Sequence, residues 1–389
     1  MRKGWEIKKL EEVCNILDKL RKPITQKDRI EGEYPYYGAT GILSYVHNYI
    51  FSEKLVLIGE DGAKWLSGDR TSFIADGKYW VNNHAHVIRP IRDVTLDEWI
   101  VYFLNFSDLT EYVTGMTVPK LNQEKMRSIK IPIPPLTEQQ RIVSILDETF
   151  SSIEQAKENL QRNLQNAKEL FQSELNSIFT NKGKGWEEKK LSDLFSIKHG
   201  FAFKGEFFSD KGDYVLLTPG NFYEKGGYRD RGDKQKYYIG DIPNDYILQN
   251  NDLLIAMTEQ AAGLLGSPLI VPESDTFLHN QRLGLFIYND GVKMNPKFLF
   301  HLFNTFRIRF LIHKSASGVK VRHTSPSKVL EINVNIPNLE IQQKIVQQLD
   351  KLSAETKRLE AMYQQKLDAL EELKKSILQK AFSGELSEN

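Results

Sequence analysis

The side chains in this chain best suited to chemistry are of the kind that read bases. Asn83 and Asn280 occupy matching positions in two halves of the sequence, with Asn82, Gln281 and Arg282 as neighbours. Asn and Gln match the major-groove edge of adenine, and Arg matches that of guanine, so these side chains on loops could read base edges. The competing reading is that the amides tie each loop to its own backbone. Arg70 in the GDR of residues 68–70, Thr258 and Gln260 after an apolar run, and Lys204 in HGFAFKGEFF carry the same two readings. GMTVPK (115–120) and GVKVRH (318–323) are matching Gly-led loops. Their Thr117, Lys120, Lys320, Arg322 and His323 suit contacts to phosphate, which position a protein on DNA without reading sequence.

Catalytic constellations are missing. The only GxG, Gly183 to Gly185, follows Thr-Asn-Lys and not an apolar strand, and no GKS or GKT occurs. No dinucleotide or S-adenosylmethionine loop is therefore credible there, and no phosphate loop of the GKS or GKT type is present. The only Pro-Pro pair, Pro134-Pro135, follows Ile133, so an Asp-Pro-Pro-Tyr type of amino-methyltransferase motif is absent. Glu60, Asp61 and Lys64 fit a nuclease cluster poorly, because the facing residues of the second half are Thr258, Glu259 and Ala262. Lys64 is kept as a DNA-facing cation. His84 and His86 lie two apart without a cysteine partner, a pattern better read as satisfied histidines than as metal ligands.

The elements that position these residues are written twice. GWEIKKLEEVCNI (4–16) returns as GWEEKKLSDLFSI (185–197), and IKIPIPPLTEQQRIVSILD (129–147) as INVNIPNLEIQQKIVQQLD (332–350). The offset is 181 at the first pair and 198 where KLVLIGEDG (54–62) faces DLLIAMTEQ (252–260). It is 197 at Asn83/Asn280 and 203 from Gly115/Gly318 onward. The second copy therefore carries an insertion between about 219 and 251. A framework is repeated while its loops differ, as expected of two recognition lobes on one chain.

Net charge is +1 over 389 residues, which at face value argues against a nucleic-acid binder. The average hides a run from Gly291 to Leu330 with eight basic residues, Lys314, Lys320 and Arg322 among them, and no acid. It reads as a local anion-attracting surface or as a solvated basic face. No apolar run approaches the ~20 residues of a membrane span, and Cys14 is the only cysteine, so the expected compartment is the cytoplasm.

Short apolar and β-branched runs broken by Gly, Asn, Asp and Pro predict strand-rich lobes, with helices at 96–114 and 296–313. Each lobe ends in a proline punctuation and a long polar-apolar pattern without Gly or Pro, from Glu138 to Phe179 and from about Ile341 to Phe382. Thr137 and Gln140 have capping-box spacing. Ile142, Leu146, Ile153 and Leu175 in the first pattern, and Ile345, Leu349, Leu370 and Leu373 in the second, recur at nearly 3,4 spacing and demand a partner helix. A second molecule could supply it. Antiparallel pairing within one chain is the favoured reading, making the pair a ruler. The expected class is α+β, with two tandem mixed α/β, strand-rich lobes separated by two long helices in an antiparallel coiled coil. Their expected bounds are 1–137 (first domain), 138–182 (first helix and linker), 183–340 (second domain) and 341–389 (second helix and tail).

Together with YPYYGATGI, NNHAHVIRP, GFAFK, NDLLIAMT and LHNQRLGL, the two duplicated motifs resemble those of the specificity (S) subunit of type I restriction-modification enzymes, over essentially the whole chain. The resemblance implies that each target-recognition domain binds one half of an asymmetric bipartite sequence in double-stranded DNA. It implies that the paired helices hold the domains apart and dock two methyltransferase subunits, with motor-nuclease subunits joining for cleavage. Catalysis, S-adenosylmethionine, ATP and magnesium would belong to those partners, and this chain would bind no cofactor or metal and be no enzyme by itself. A two-lobed scaffold with a non-nucleic ligand is the alternative.

Overall fold

The computed structural model describes residues 4–115, 117–181, 183–260 and 262–387. Met116 of the GMTVPK loop and Lys182 of the expected linker lie outside them. The chain forms two compact units, one of residues 1–162 and 363–389, the other of residues 163–362. Each long helix contributes to both.

The two duplicated motifs turn out to be partners. In the first unit Glu6–Lys9, from the GWE motif, pairs antiparallel with Lys130–Ile133, from the IPIP motif. In the second, Glu187–Lys190 pairs with Asn333–Ile336 in the same way. The start and end of each lobe are thus zipped together immediately before a long helix. The tryptophans pack inward: Trp5 meets Trp99 edge-on, and Trp186 lies against Phe179 and Phe298.

Within the first lobe an antiparallel sheet runs in the order Cys14–Ile16, Ala85–Pro90, Leu55–Gly59, Ser72–Ala75. Its central strand is a continuous apolar run, and Leu55 to Ile58 are fully buried, each such side chain contributing about 1.5–3 kcal/mol. A second sheet pairs Tyr34–Gly38 with Gly41–Val46 and, in parallel, with Trp80–Val81. The second lobe repeats the first sheet with Phe195–His199, Leu283–Tyr288, Leu253–Ala256 and Pro268–Ile270. Its second sheet keeps the parallel pair, Tyr214–Leu216 beside Phe277–Leu278. The insertion supplies a further strand, Tyr237–Tyr238, to that sheet.

The long helices are Leu136–Thr180 and Leu339–Ser383, 45 residues each. The first begins two residues before the expected Glu138, where the Pro135 carbonyl already accepts from the Glu138 and Gln139 amides. They pair antiparallel within each unit. In the first, Arg141 reaches the Leu386 carbonyl, Lys374 lies over the Phe150 ring, and Lys157 pairs with Glu371 at 2.5 Å. In the second, Gln348 donates to Glu174 at 3.1 Å. The expected seam holds at Ile142, Leu146, Ile153, Leu175, Ile345 and Leu349, all buried. Leu373 departs from it: it is 47% exposed, and the register is carried by Leu378 and Ala381 instead. The helix expected at 296–313 is broken into Pro296–Phe303 and Phe306–Ser315, because Thr305 caps a new turn by accepting from the Ile308 amide. That expected at 96–114 stops at Phe106.

Candidate nucleic-acid interface

The first lobe builds one edge around the turn that follows Trp80–Val81. Asn82 is buried and its Oδ1 accepts from the His84 amide at 2.8 Å, an Asx-type turn. The His84 carbonyl accepts from the Glu60 amide. Arg21 donates to the carbonyls of Ala85 (2.8 Å) and Asn83 (3.3 Å), fixing the turn from below. The side chains of Asn83 and His84 are left exposed, His84 Nδ1 being 2.5 Å from Asp61 Oδ1.

The second lobe builds the same turn. Asn280 Oδ1 accepts from the Arg282 amide at 3.0 Å, and the Arg282 carbonyl accepts from Met257 N. Gln281 and Arg282 stand exposed. His279 beneath is fully buried, and burial pulls its pKa down to about 4, so the neutral ring donates Nε2–H to the Leu283 carbonyl. Phe201 pairs with the turn on both sides, bringing the exposed Lys204 segment alongside.

These bonds correct the correspondence expected from the sequence. Asn280 matches Asn82, not Asn83, since each accepts from the amide two residues on. The exposed pairs that then match are Asn83–His84 and Gln281–Arg282. Likewise Glu60 matches Met257: each donates to the turn's carbonyl and accepts from the strand beyond the Gly-led loop, from Leu121 N and Thr324 N respectively. Asn82 is buried and committed to its loop, so it presents no edge to a base. His84 was missed, because a lone histidine carries no base preference in sequence and its exposure depends on the turn.

The Gly-led loops close identically. Thr114 and Lys120 exchange backbone hydrogen bonds, as do Ser317 and His323. Asp61 bridges to Lys120, and Thr258 to His323. Thr117, Lys120, Asn83 and His84 thus belong to one edge of the first lobe, and Thr258, Gln260, Gln281, Arg282, Lys320, Arg322 and His323 to one edge of the second. Lys120 lies 2.8 Å from Glu60, and this bond holds its ammonium pKa above the ordinary range.

Under the first edge lies a charged cluster. His86 bonds Asp18 (2.6 Å) and the Leu121 carbonyl (2.7 Å), and Gln123 and Val87 N also donate to Asp18. Burial opposes the charge of Asp18, but those donors hold its carboxyl below the usual range. Burial opposes that of Glu60 too, and Lys120 and Arg21 outweigh it. Asp18, Glu60 and His86 lie close enough to share an ion, yet Arg21 and Lys120 already supply their countercharge.

Other expected residues go elsewhere. Arg70 lies over Phe73 and lines a cavity with Phe150 and Lys374 of the helix pair. Lys64 is exposed on the loop that follows Gly59. The acid-free run is not one basic face, because its charges fall on different sides of two short helices. Lys297 pairs with Asp350, Arg309 is half-buried against the Gly263 and Glu224 carbonyls, and Arg307 and Lys328 donate to the Asn333 and Ser315 carbonyls. Lys314 and Lys320 remain exposed.

Comparison with known proteins adds an independent line. Residues 2–162 and 183–371 match the family model described as the type I restriction modification DNA specificity domain. A type I restriction enzyme specificity subunit of Haemophilus influenzae is 27% identical over 369 residues, covering 90% of this chain and 88% of the relative. The MjaVIII specificity subunit of Methanocaldococcus jannaschii is 22% identical, covering 98% and 93%. Among solved structures, a chain from a type I restriction-modification system superposes with a TM-score of 0.72 at 17% identity, covering 98% of each chain. The HsdS subunit of Thermoanaerobacter tengcongensis does so with 0.62 at 17% identity, covering 99% and 98%. At these identities the structures speak for the fold alone.

Proposed function

The chain belongs to the type I restriction modification DNA specificity family, and from that premise we propose that it is the specificity subunit of such a system, each lobe reading one half of a bipartite DNA target. The observation that carries this is the pair of matched turns. A buried asparagine fixes the same backbone in both lobes, while the two side chains it exposes differ, Asn83–His84 against Gln281–Arg282. A conserved mount with unlike tips is what two different half-sites require.

In this reading the paired helices set the spacing between half-sites and dock two methyltransferase subunits, and motor-nuclease subunits join for cleavage. Adenine methylation and ATP-dependent cleavage, with S-adenosylmethionine, ATP and magnesium, lie on those partners; this chain contributes recognition and binds no cofactor. No helix among the described residues is long and apolar enough to cross a membrane. The work is done on DNA in the cytoplasm.

The contacts divide into two kinds with different readouts. Arg282→Ala is expected to lower discrimination at one half-site by about 1–3 kcal/mol, roughly 5- to 150-fold, and Asn83→Ala to do so at the other. Lys320→Ala should weaken binding to every sequence and reduce the slope of log affinity against log salt by about one. Titrations of the full complex against single-base variants of each half-site measure both. Equal effects of all three substitutions on all sequences would contradict the assignment.

A further inference from the structure

Each lobe holds the cation of its Gly-led loop on a buried carboxylate, and the two carboxylates are not counterparts. Glu60 is matched in the second lobe by Met257, whose Sδ instead packs over Gly284. The second lobe places its acid two residues further on, at Glu259, which lies opposite Arg322 in a short strand pair. Glu60 binds Lys120 at 2.8 Å and Arg21 at 2.5 Å. Glu259 is 3% exposed, and its Oε2 accepts from the amides of Gly263 and Leu265. Its Oε1 has no hydrogen bond and faces Arg322 and His313, each at 3.5 Å. A buried carboxylate oxygen without a hydrogen bond is costly, and the charges of Arg322 and Arg309 offset it. Two diverged copies have reached the same arrangement from different positions, which inheritance of a structural salt bridge does not explain.

We propose that Glu60 and Glu259 are specificity-determining positioning residues that clamp the loop cations Lys120 and Arg322 away from phosphate. The inference rests on the DNA-reading function above. Lys120 and Arg322 are each only partly covered, with 43% and 38% of their side chains exposed, so each can exchange its carboxylate for a phosphate. That exchange sacrifices an ion pair. On non-cognate DNA nothing compensates for the loss, and the cation stays clamped. On a cognate half-site the neighbouring turn, Asn83–His84 or Gln281–Arg282, gains base contacts that offset it. The carboxylates therefore suppress sequence-independent binding.

The test compares wild type, Glu60→Gln and Glu259→Gln as full chains with their methyltransferase subunits, on duplexes carrying the mapped half-sites and on scrambled duplexes across a salt series. Each substitution is expected to raise affinity for scrambled DNA about 3- to 10-fold, and to steepen its salt slope by about one as a freed cation engages phosphate. The ratio of cognate to scrambled affinity should fall. The double variants Glu60→Gln/Lys120→Met and Glu259→Gln/Arg322→Met should lose both gains, which separates release of a cation from general disturbance of the fold. Unchanged scrambled-DNA affinity and slope, or a loss of affinity on both duplexes with no change of slope, would overturn the inference. Absence of any half-site preference in wild type would instead sink the functional reading beneath it.

Discussion

Removal of residues 377–389 is expected to unfold the first lobe while the second stays folded. The end of the second long helix completes a core built almost wholly by residues 5–146. Leu378 and Ala381 are buried among Trp99, Ile142 and Leu146, and Ile377 packs against the same cluster. Phe382 meets three rings of one helix: Trp99 at 4.9 Å, Phe103 at 5.3 Å and Phe106 at 5.4 Å between centroids. Truncating one buried Leu costs about 2–5 kcal/mol and one buried Phe about 3–5 kcal/mol. Losing this set together exceeds about 5 kcal/mol, against a typical domain stability of about 5–15 kcal/mol. Hydrogen exchange resolved along the truncated chain measures it. Retained protection across the strands Leu55–Gly59 and Ala85–Pro90 would show that the first lobe does not depend on the C-terminal turns.

Gln139→Leu is expected to destabilise the first unit by about 3–5 kcal/mol, and Gln342→Leu the second by less, about 1–3 kcal/mol. These glutamines open the duplicated QQ pairs. Gln139 is fully buried, its Oε1 accepting from Thr95 Oγ1 and Leu96 N while its Nε2 donates to the Val94 and Pro134 carbonyls. One amide thus bolts the loop before helix Asp97–Phe106 to the start of the long helix. Leucine matches the volume but orphans two buried groups, the Thr95 hydroxyl and the Pro134 carbonyl, and the half-buried Leu96 amide and Val94 carbonyl; a buried group costs about 1–3 kcal/mol when it finds no water. Gln342 accepts from Asn295 N and donates to the Pro337 carbonyl, with only the Met294 sulfur, at 3.5 Å, as a further acceptor. Denaturant unfolding of the two variants, followed by probes in each unit, gives both values; equal costs would contradict the network as the cause.

Much of the frame was legible because duplication advertises it. The GWE and IPxPxL motifs recur since they form the strand pair that closes each lobe, and both long helices were visible from their unbroken 3,4 pattern. The turn asparagines were visible too, but their correspondence was not. Matching identical residues paired Asn83 with Asn280, whereas hydrogen bonding pairs Asn82 with Asn280 and leaves the informative tips one residue on. The amides shared by the two lobes marked the mount, and the exposed side chains beside them are the ones that differ. The acid-free run misled for a related reason: sequence shows how many charges a segment has, and only packing shows that Arg309 is half-buried against backbone carbonyls while Lys320 is exposed. Completion of the first lobe by residues 377–382 was illegible locally, since it joins segments more than two hundred residues apart.

The central claim is that two lobes with a common mount and unlike tips read two different half-sites. Footprinting the chain with its cognate methyltransferase subunits, with methylated adenines mapped in DNA from cells with and without the gene, tests it most directly. The account predicts two short protected sequences, unrelated to each other, separated by a gap of fixed length and free sequence. One contiguous site, or no sequence-specific protection with the partners present, would contradict it.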